Sequence, residues 1–133
     1  MGQAPGPYVA EAGGLPAIPS PALDRRMRAQ RRQQLLEAAI AAGTGWLVFE
    51  PNTEATWARL RGQIANFLQQ QWQAGWLQGT RPDHAFFVRC DRTTISQHDL
   101  DNGRLVCMVG VALQKPAEFN IFQLGSLTAD APA

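Results

Sequence analysis

The sequence predicts a small α/β (α+β) domain: a mixed β-sheet with two main helices packed on it and an extended arm at each end. Three observations predict it. Trp57, Leu60, Ile64, Phe67, Leu68 and Trp72 recur at helical spacing. Residues 85–90, 104–113 and 118–124 are short apolar runs bounded by turn formers, as strands are. The first 23 residues hold five prolines and four glycines, too many for a helix or a core of their own, and read either as a disordered leader or as a docking arm extended by its prolines. A chain of 133 residues, 45% hydrophobic and 17% charged, buries one core and is too short for two full-sized domains. The expected division is therefore an arm and linker over 1–23, a core domain over 24–125 and a flexible tail over 126–133.

Each element has a local reason. Asp24 can cap a helix that runs to about Ala42, where Gly43 and Gly45 stop it; Leu35, Leu36, Ala39 and Ile40 form its apolar stripe. The run WLVFE at Trp46 to Glu50, bounded by glycine and proline, reads as a buried strand. Pro51 and Asn52 turn the chain, and Asn52 or Thr53 caps the second helix, which Gly75 and Gly79 close. After the strand at 85–90 comes a loop, with one helical turn at Gln97 to Leu100 and a left-handed turn at Asn102-Gly103. In the strand at 104–113, Gly110 suggests a bulge. A last strand, rich in Phe and Ile, follows Lys115-Pro116.

Composition narrows the function. Twelve basic residues against eleven acidic give a formal charge of +1, so no global field argues for nucleic acid, a membrane surface or an acidic substrate. The apolar runs fall far short of the ~20 residues that cross a bilayer. The opening MGQAPGPYV lacks the charged start and apolar core of a signal peptide, so Cys90 and Cys107 are expected as thiols in a reducing, cytoplasmic setting.

The chemistry-bearing residues form no recognisable constellation. His84, His98, Cys90, Asp91, Asp99 and Asp101 lack metal-ligand spacing, and both cysteines sit inside apolar strands where structural thiols belong. Phosphate-cradling glycine loops and the nucleophile elbow are absent from the sequence. No cofactor, no metal and no catalytic residue is expected, and the carboxylates of DRTTISQHDLDNG are assigned to loop amides and caps. One local charge feature stands out: Arg25, Arg26, Arg28, Arg31 and Arg32 crowd the positive end of the first helix, where the dipole prefers acids. They are either a solvated face or a patch for an acidic partner; nucleic acid fits less well, since no aromatic residue interleaves them.

A family resemblance rests on two long blocks. GTGWLVFEPNTEATWARLRGQIANFLQQQWQAGWLQG, residues 43–79, resembles the C-terminal domain of contractile tail sheath proteins, whose usual form is close to GTxWVVFEPNxxxLWxxI. AFFVRCDRTTISQHDLDNGRLVCMVGVALQKPAEFNIFQLG, residues 85–125, is similar to the family's terminal block. APGPYVAEAGGLPAIP resembles the family's N-terminal motif less closely, with Pro7 and Ala10 departing from it. A short linker around Ala17 to Leu23 stands where ordinary sheath subunits carry a long middle region, so the chain resembles a minimal sheath subunit.

The resemblance implies a structural subunit, not an enzyme. Such subunits polymerise as a helical array of stacked rings around an inner tube and exchange strands with their neighbours. They then contract to drive the tube through a target envelope, without nucleotide hydrolysis. Tyr8 and Val9 on the first arm, and Phe119, Ile121 and Phe122 on the last strand, are the implied strand-exchange residues, with that strand pairing mainly with another subunit's sheet. The arginine cluster is implied to meet the tube or a neighbour. The implied partners are further copies, the inner tube protein, and baseplate and tail-end proteins, with neither nucleic acid nor membrane insertion. Assembly would be cytoplasmic, and the product part of a virion tail or phage-tail-like particle. A cap or terminator that joins the lattice once is the alternative, and an enzyme or nucleic-acid module on a borrowed fold is a third class.

Overall fold

The computed structural model describes residues 21–132, and of residues 21–26 only the backbone. Two compact units divide between Arg31 and Arg32. The described part of the first is the start of helix α1 (Pro21–Gly43), and the second holds everything that follows.

In the second unit the chain passes through a 3-10 turn (Gly45–Phe49), α2 (Glu54–Gln73), a short α3 (Pro82–Ala85), β1 (Phe86–Arg89), α4 (Gln97–Asp101), β2 (Arg104–Val111) and β3 (Asn120–Leu127). The strands lie in the order β1-β2-β3. Both pairings are antiparallel, so the sheet expected to be mixed is antiparallel throughout, within the α/β class expected. The reason is the fate of WLVFE. It coils into the 3-10 turn, with Leu47 buried while Val48 and Phe49 face outward, and so supplies no fourth strand. An apolar run of five residues carries no period that separates the two outcomes.

Alternation along the strands sorts the side chains. Leu105, Cys107, Val109 and Val111 of β2 point to the core, opposite Phe122 of β3. On the same side lie Leu60, Ile64 and Leu68 of α2, fully buried, with Leu36 and Ile40 of α1 also in the core. The stripe on α1 is narrower than expected, since Leu35 is half exposed. Gln63 ties α2 to the end of α1: its Nε2 donates to the Gly43 carbonyl (2.6 Å) and its Oε1 accepts from Trp46 Nε1 (2.7 Å).

The turns follow their residues. Thr53 stands at the N-cap of α2 without a side-chain capping bond, and Asn52 is engaged in longer-range contacts. Ser96 and Asp99 form a reciprocal capping box on α4. Gly103 has φ of 66°, as a left-handed turn requires. Gly110 makes no bulge: it pairs in register with both Phe87 and Ile121. Its missing side chain leaves room for the Phe87 ring, which lies where a Cβ would stand.

Candidate functional site

Among the described residues no strand pairs with the outer side of β1 or of β3, and β3 offers the longer edge. Thr128 N donates to the Gly103 carbonyl at 2.9 Å, which fixes the phase of the β2–β3 ladder. From that phase the backbone groups of residues 120, 122, 124 and 126 turn toward β2, and those of Ile121, Gln123, Gly125 and Leu127 turn away from it. The outward row comprises these four residues along an eight-residue strand, the geometry to which an extended segment adds as a further strand.

The sheet face away from α2 is apolar beside that edge. Val106 and Met108 of β2 and Ile121 and Leu127 of β3 share it, with Ile121 54% and Leu127 55% exposed. At its β1 side the Phe87 ring covers Gly110 and meets Phe119 edge to face, with centroids 5.1 Å apart. The 3-10 turn leaves Phe49 79% exposed. Its neighbour Glu50 accepts from Ala129 N at 2.9 Å, which places the turn beside the end of β3. Nothing in the sequence pattern distinguished Phe49 from a core residue, because only its place in a 3-10 turn turns it outward.

The residues expected to exchange strands on the C-terminal side stand close together but in different surroundings. Phe122 belongs to the core, Phe119 packs on Phe87, and Ile121 stands free on the outer face. β3 pairs along its whole length with β2 of its own chain, rather than mainly with another subunit. It also runs to Leu127, two residues into the segment read as tail, where Thr128 and Asp130 continue the hydrogen bonding. Tyr8 and Val9 lie outside the described residues.

Of the arginine cluster, Arg25 and Arg26 are described as helix backbone only. Arg28 is half-buried and Arg31 exposed on the α1 segment of the first unit. Arg32, in the second unit, donates to the Trp76 carbonyl at 3.3 Å and lies 6.0 Å from its ring centre. Part of this cluster therefore contributes to intrachain packing.

The carboxylate loop is built as a scaffold. Asp91 accepts from the Thr93 amide and hydroxyl, and Asp99 accepts from the Ser96 amide and hydroxyl at 3.0 Å each. Thr93, its hydroxyl first and its amide second, lowers the Asp91 carboxyl below its ordinary range. For Asp99 the Ser96 amide is the largest cause, with Arg104 adding to it. Both carboxylates are thereby committed to ionised, structural roles. Among the described residues no group of three or more His, Cys, Asp or Glu could hold a metal ion, and no helix is long and apolar enough to cross a membrane.

Comparison with known proteins agrees with this geometry. The family model for the phage tail sheath C-terminal domain matches residues 24–124. A chain in the cryo-EM structure of the anti-feeding prophage baseplate, six-fold symmetrised, is similar at 36% identity and a TM-score of 0.58, over 68% of this chain and 25% of that one. A chain in the cryo-EM structure of the contracted PVC sheath complex, from an extracellular contractile injection system, is similar at 38% identity and a TM-score of 0.56, over 67% of this chain and 25% of that one. The chain thus spans about a quarter of the length of these structural relatives. No curated protein matches it.

Proposed function

The chain belongs to the phage tail sheath C-terminal domain family, and on that premise we propose that it is a structural subunit of a contractile sheath, polymerising around an inner tube through strands exchanged between neighbours. A sheath role for this domain accords with its relatives in contractile injection system structures. The observation that carries the finer reading is the outward edge of β3. An arm from a neighbouring copy, with Tyr8 and Val9 on it, would pair its backbone with Ile121, Gln123, Gly125 and Leu127 and rest apolar side chains on the outer sheet face. Repeated from copy to copy, such a contact is heterologous and open-ended, so it makes a helical array instead of a closed ring of two. Backbone pairing also survives rotation of subunits if the arms flex, which is what contraction without nucleotide hydrolysis demands.

The arginines are assigned to an acidic surface of the tube or of a neighbour, with Arg28 and Arg31 as the members to test. Reversing their charge should reduce sedimentable particles, and undiminished assembly and contraction would remove the assignment.

The edge is tested by a proline at an outward position. Gln123→Pro removes a donor that faces away from β2, so the intrachain ladder survives, as proline does on edge strands. Co-expression of the full chain with its tube partner, viewed by negative-stain electron microscopy, should give striated tubes for the parent and none for Gln123→Pro, with unchanged circular dichroism. Striated tubes from both would show that the edge is not the contact. A single terminal ring per particle would instead favour the cap, a reading kept open by the baseplate relative.

A further inference from the structure

Cys90 and Cys107 play no part in the surfaces described so far, yet the sheet register sets them against each other. β1 pairs with β2 from Phe86 opposite Val111 to Arg89 opposite Met108, so the next residues along, Cys90 and Cys107, face one another across the strands. Ala112 N donates to the Ala85 carbonyl at 2.8 Å, which marks 85/112 as a hydrogen-bonded pair. Counting along the ladder, 87/110 and 89/108 are of the same kind, and 86/111, 88/109 and 90/107 are of the other. In that other kind the Cα atoms approach to about 4.5 Å and the side chains are closest. A disulfide bridges Cα atoms roughly 4.4–6.8 Å apart.

Both residues are fully buried on the core face. The backbone around them is pinned on every side. Arg61 donates to the Cys90 carbonyl, the Thr94 hydroxyl donates to the Val106 carbonyl at 2.7 Å where β1 has turned away, and Cys107 pairs with Leu124 of β3. The two side chains therefore meet with little freedom to move apart.

We propose that Cys90 and Cys107 are a cross-strand disulfide site, present as thiols in a reducing setting and closed by exchange with a small-molecule disulfide. The step is balanced as follows. One cysteine, as thiolate, attacks a sulfur of R–S–S–R, that bond breaks, and R–S⁻ leaves to be protonated. The second cysteine, as thiolate, attacks the cysteine sulfur of the resulting mixed disulfide and expels the second R–S⁻. Two protein thiols are oxidised, one small disulfide is reduced to two R–SH, and the protein loses two hydrogens. The bond closes a loop that contains α4 and staples the four-residue edge strand β1 to the sheet centre.

The same burial sets the kinetics. A hydrogen-bonding interaction with the Cys107 thiol, and then burial, push the Cys90 thiol well above its usual range, while the same interaction holds the Cys107 thiol below its own, which makes Cys107 the first attacker. Both are fully buried, so no reagent reaches them in the closed state. Exchange waits on the fraying of the end of β1, a short edge strand.

The full chain is to be incubated with oxidised glutathione, both in buffer and at a urea concentration within its unfolding transition, and then returned to buffer. Intact mass after alkylation and a peptide map read the outcome. Expected are a monomer two hydrogens lighter, a linked pair of peptides bearing Cys90 and Cys107, a native circular dichroism spectrum and a raised thermal midpoint that dithiothreitol reverses. Cys107→Ala and Cys90→Ala should give neither the mass loss nor the shift. The proposal is overturned if the urea arm yields stable mixed disulfides, intermolecular dimers or two alkylated thiols. It is equally overturned if the linked product is less stable than the reduced protein.

Discussion

Phe87 of β1 lies over Gly110 of β2, its paired residue, so closely that a Cβ built on the glycine would stand 2.1 Å from Phe87 Cε2. An aromatic ring laid over a strand glycine restores the packing that the glycine lacks, and here the ring is also held by Phe119.

Gly110→Ala is therefore expected to displace the ring and cost about 1–3 kcal/mol, as overpacking does. Urea denaturation measures it. Adding Phe87→Ala should remove most of the extra cost, because the two changes share one contact; strict additivity would contradict the account.

Gly103 is constrained more severely. Its φ of 66° is left-handed, and a Cβ there would meet backbone, 2.2 Å from Ala131 N. Strain and clash together make Gly103→Ala destabilising by about 2–5 kcal/mol. Thermal unfolding should show a large drop, whereas alanine at Gly62, where a Cβ meets nothing within 4 Å, should stabilise by a few tenths to about 1 kcal/mol through helix propensity.

Asn52 links three parts of the chain. Its Oδ1 accepts from Trp57 Nε1 (2.7 Å), its Nδ2 donates to the Arg104 carbonyl (2.8 Å) and its backbone N donates to Asp130 Oδ2 (2.9 Å). Asn52→Ala strands a buried indole N–H and a strand carbonyl, at about 1–3 kcal/mol for each group left unsatisfied. Asn52→Asp keeps the acceptor for Trp57 but sets a buried carboxylate oxygen against the Arg104 carbonyl oxygen, so it should not restore stability at neutral pH.

The carboxylate loop predicts the response to acid. Asp91 and Asp99 are both more acidic in the fold than in the unfolded chain, so their ionised forms favour the folded state. That contribution is complete above the unfolded carboxylate range near ~3.9. It is lost as pH falls through the lower, folded values. The thermal midpoint should therefore fall below about pH 4, and Asp91→Asn with Asp99→Asn should flatten the fall. Ser96→Ala removes the hydroxyl bond and keeps the amide bond, so the Asp99 titration, followed by NMR, should move upward only in part; an unmoved titration would remove the Ser96 hydroxyl as one of its causes.

Much of this was legible residue by residue. The period of Trp57, Leu60, Ile64 and Leu68 predicts α2 and its buried face, because side chains three and four apart share one side of a helix whatever they pack on. The helical turn near Gln97 and the reversal at Asn102-Gly103 were legible because the bonds that make them close within a few residues. Long-range placement was not legible. WLVFE has strand composition, yet it coils because Leu47 alone is drawn into the core and the Glu50 carbonyl is taken by Ala129, far away in sequence.

By itself, then, the sequence determined the two long helices, the helical turn near Gln97, the reversal at Asn102-Gly103 and the family to which the chain is similar, since those depend on neighbours in the chain. Only the tertiary structure decided that the sheet is antiparallel throughout, that β3 keeps one edge outward, that Gly110 receives a ring and that Cys90 faces Cys107. The physical reason is register: shifting a strand by one residue exchanges its two faces and alters every pair, and nothing local in the strand fixes that choice.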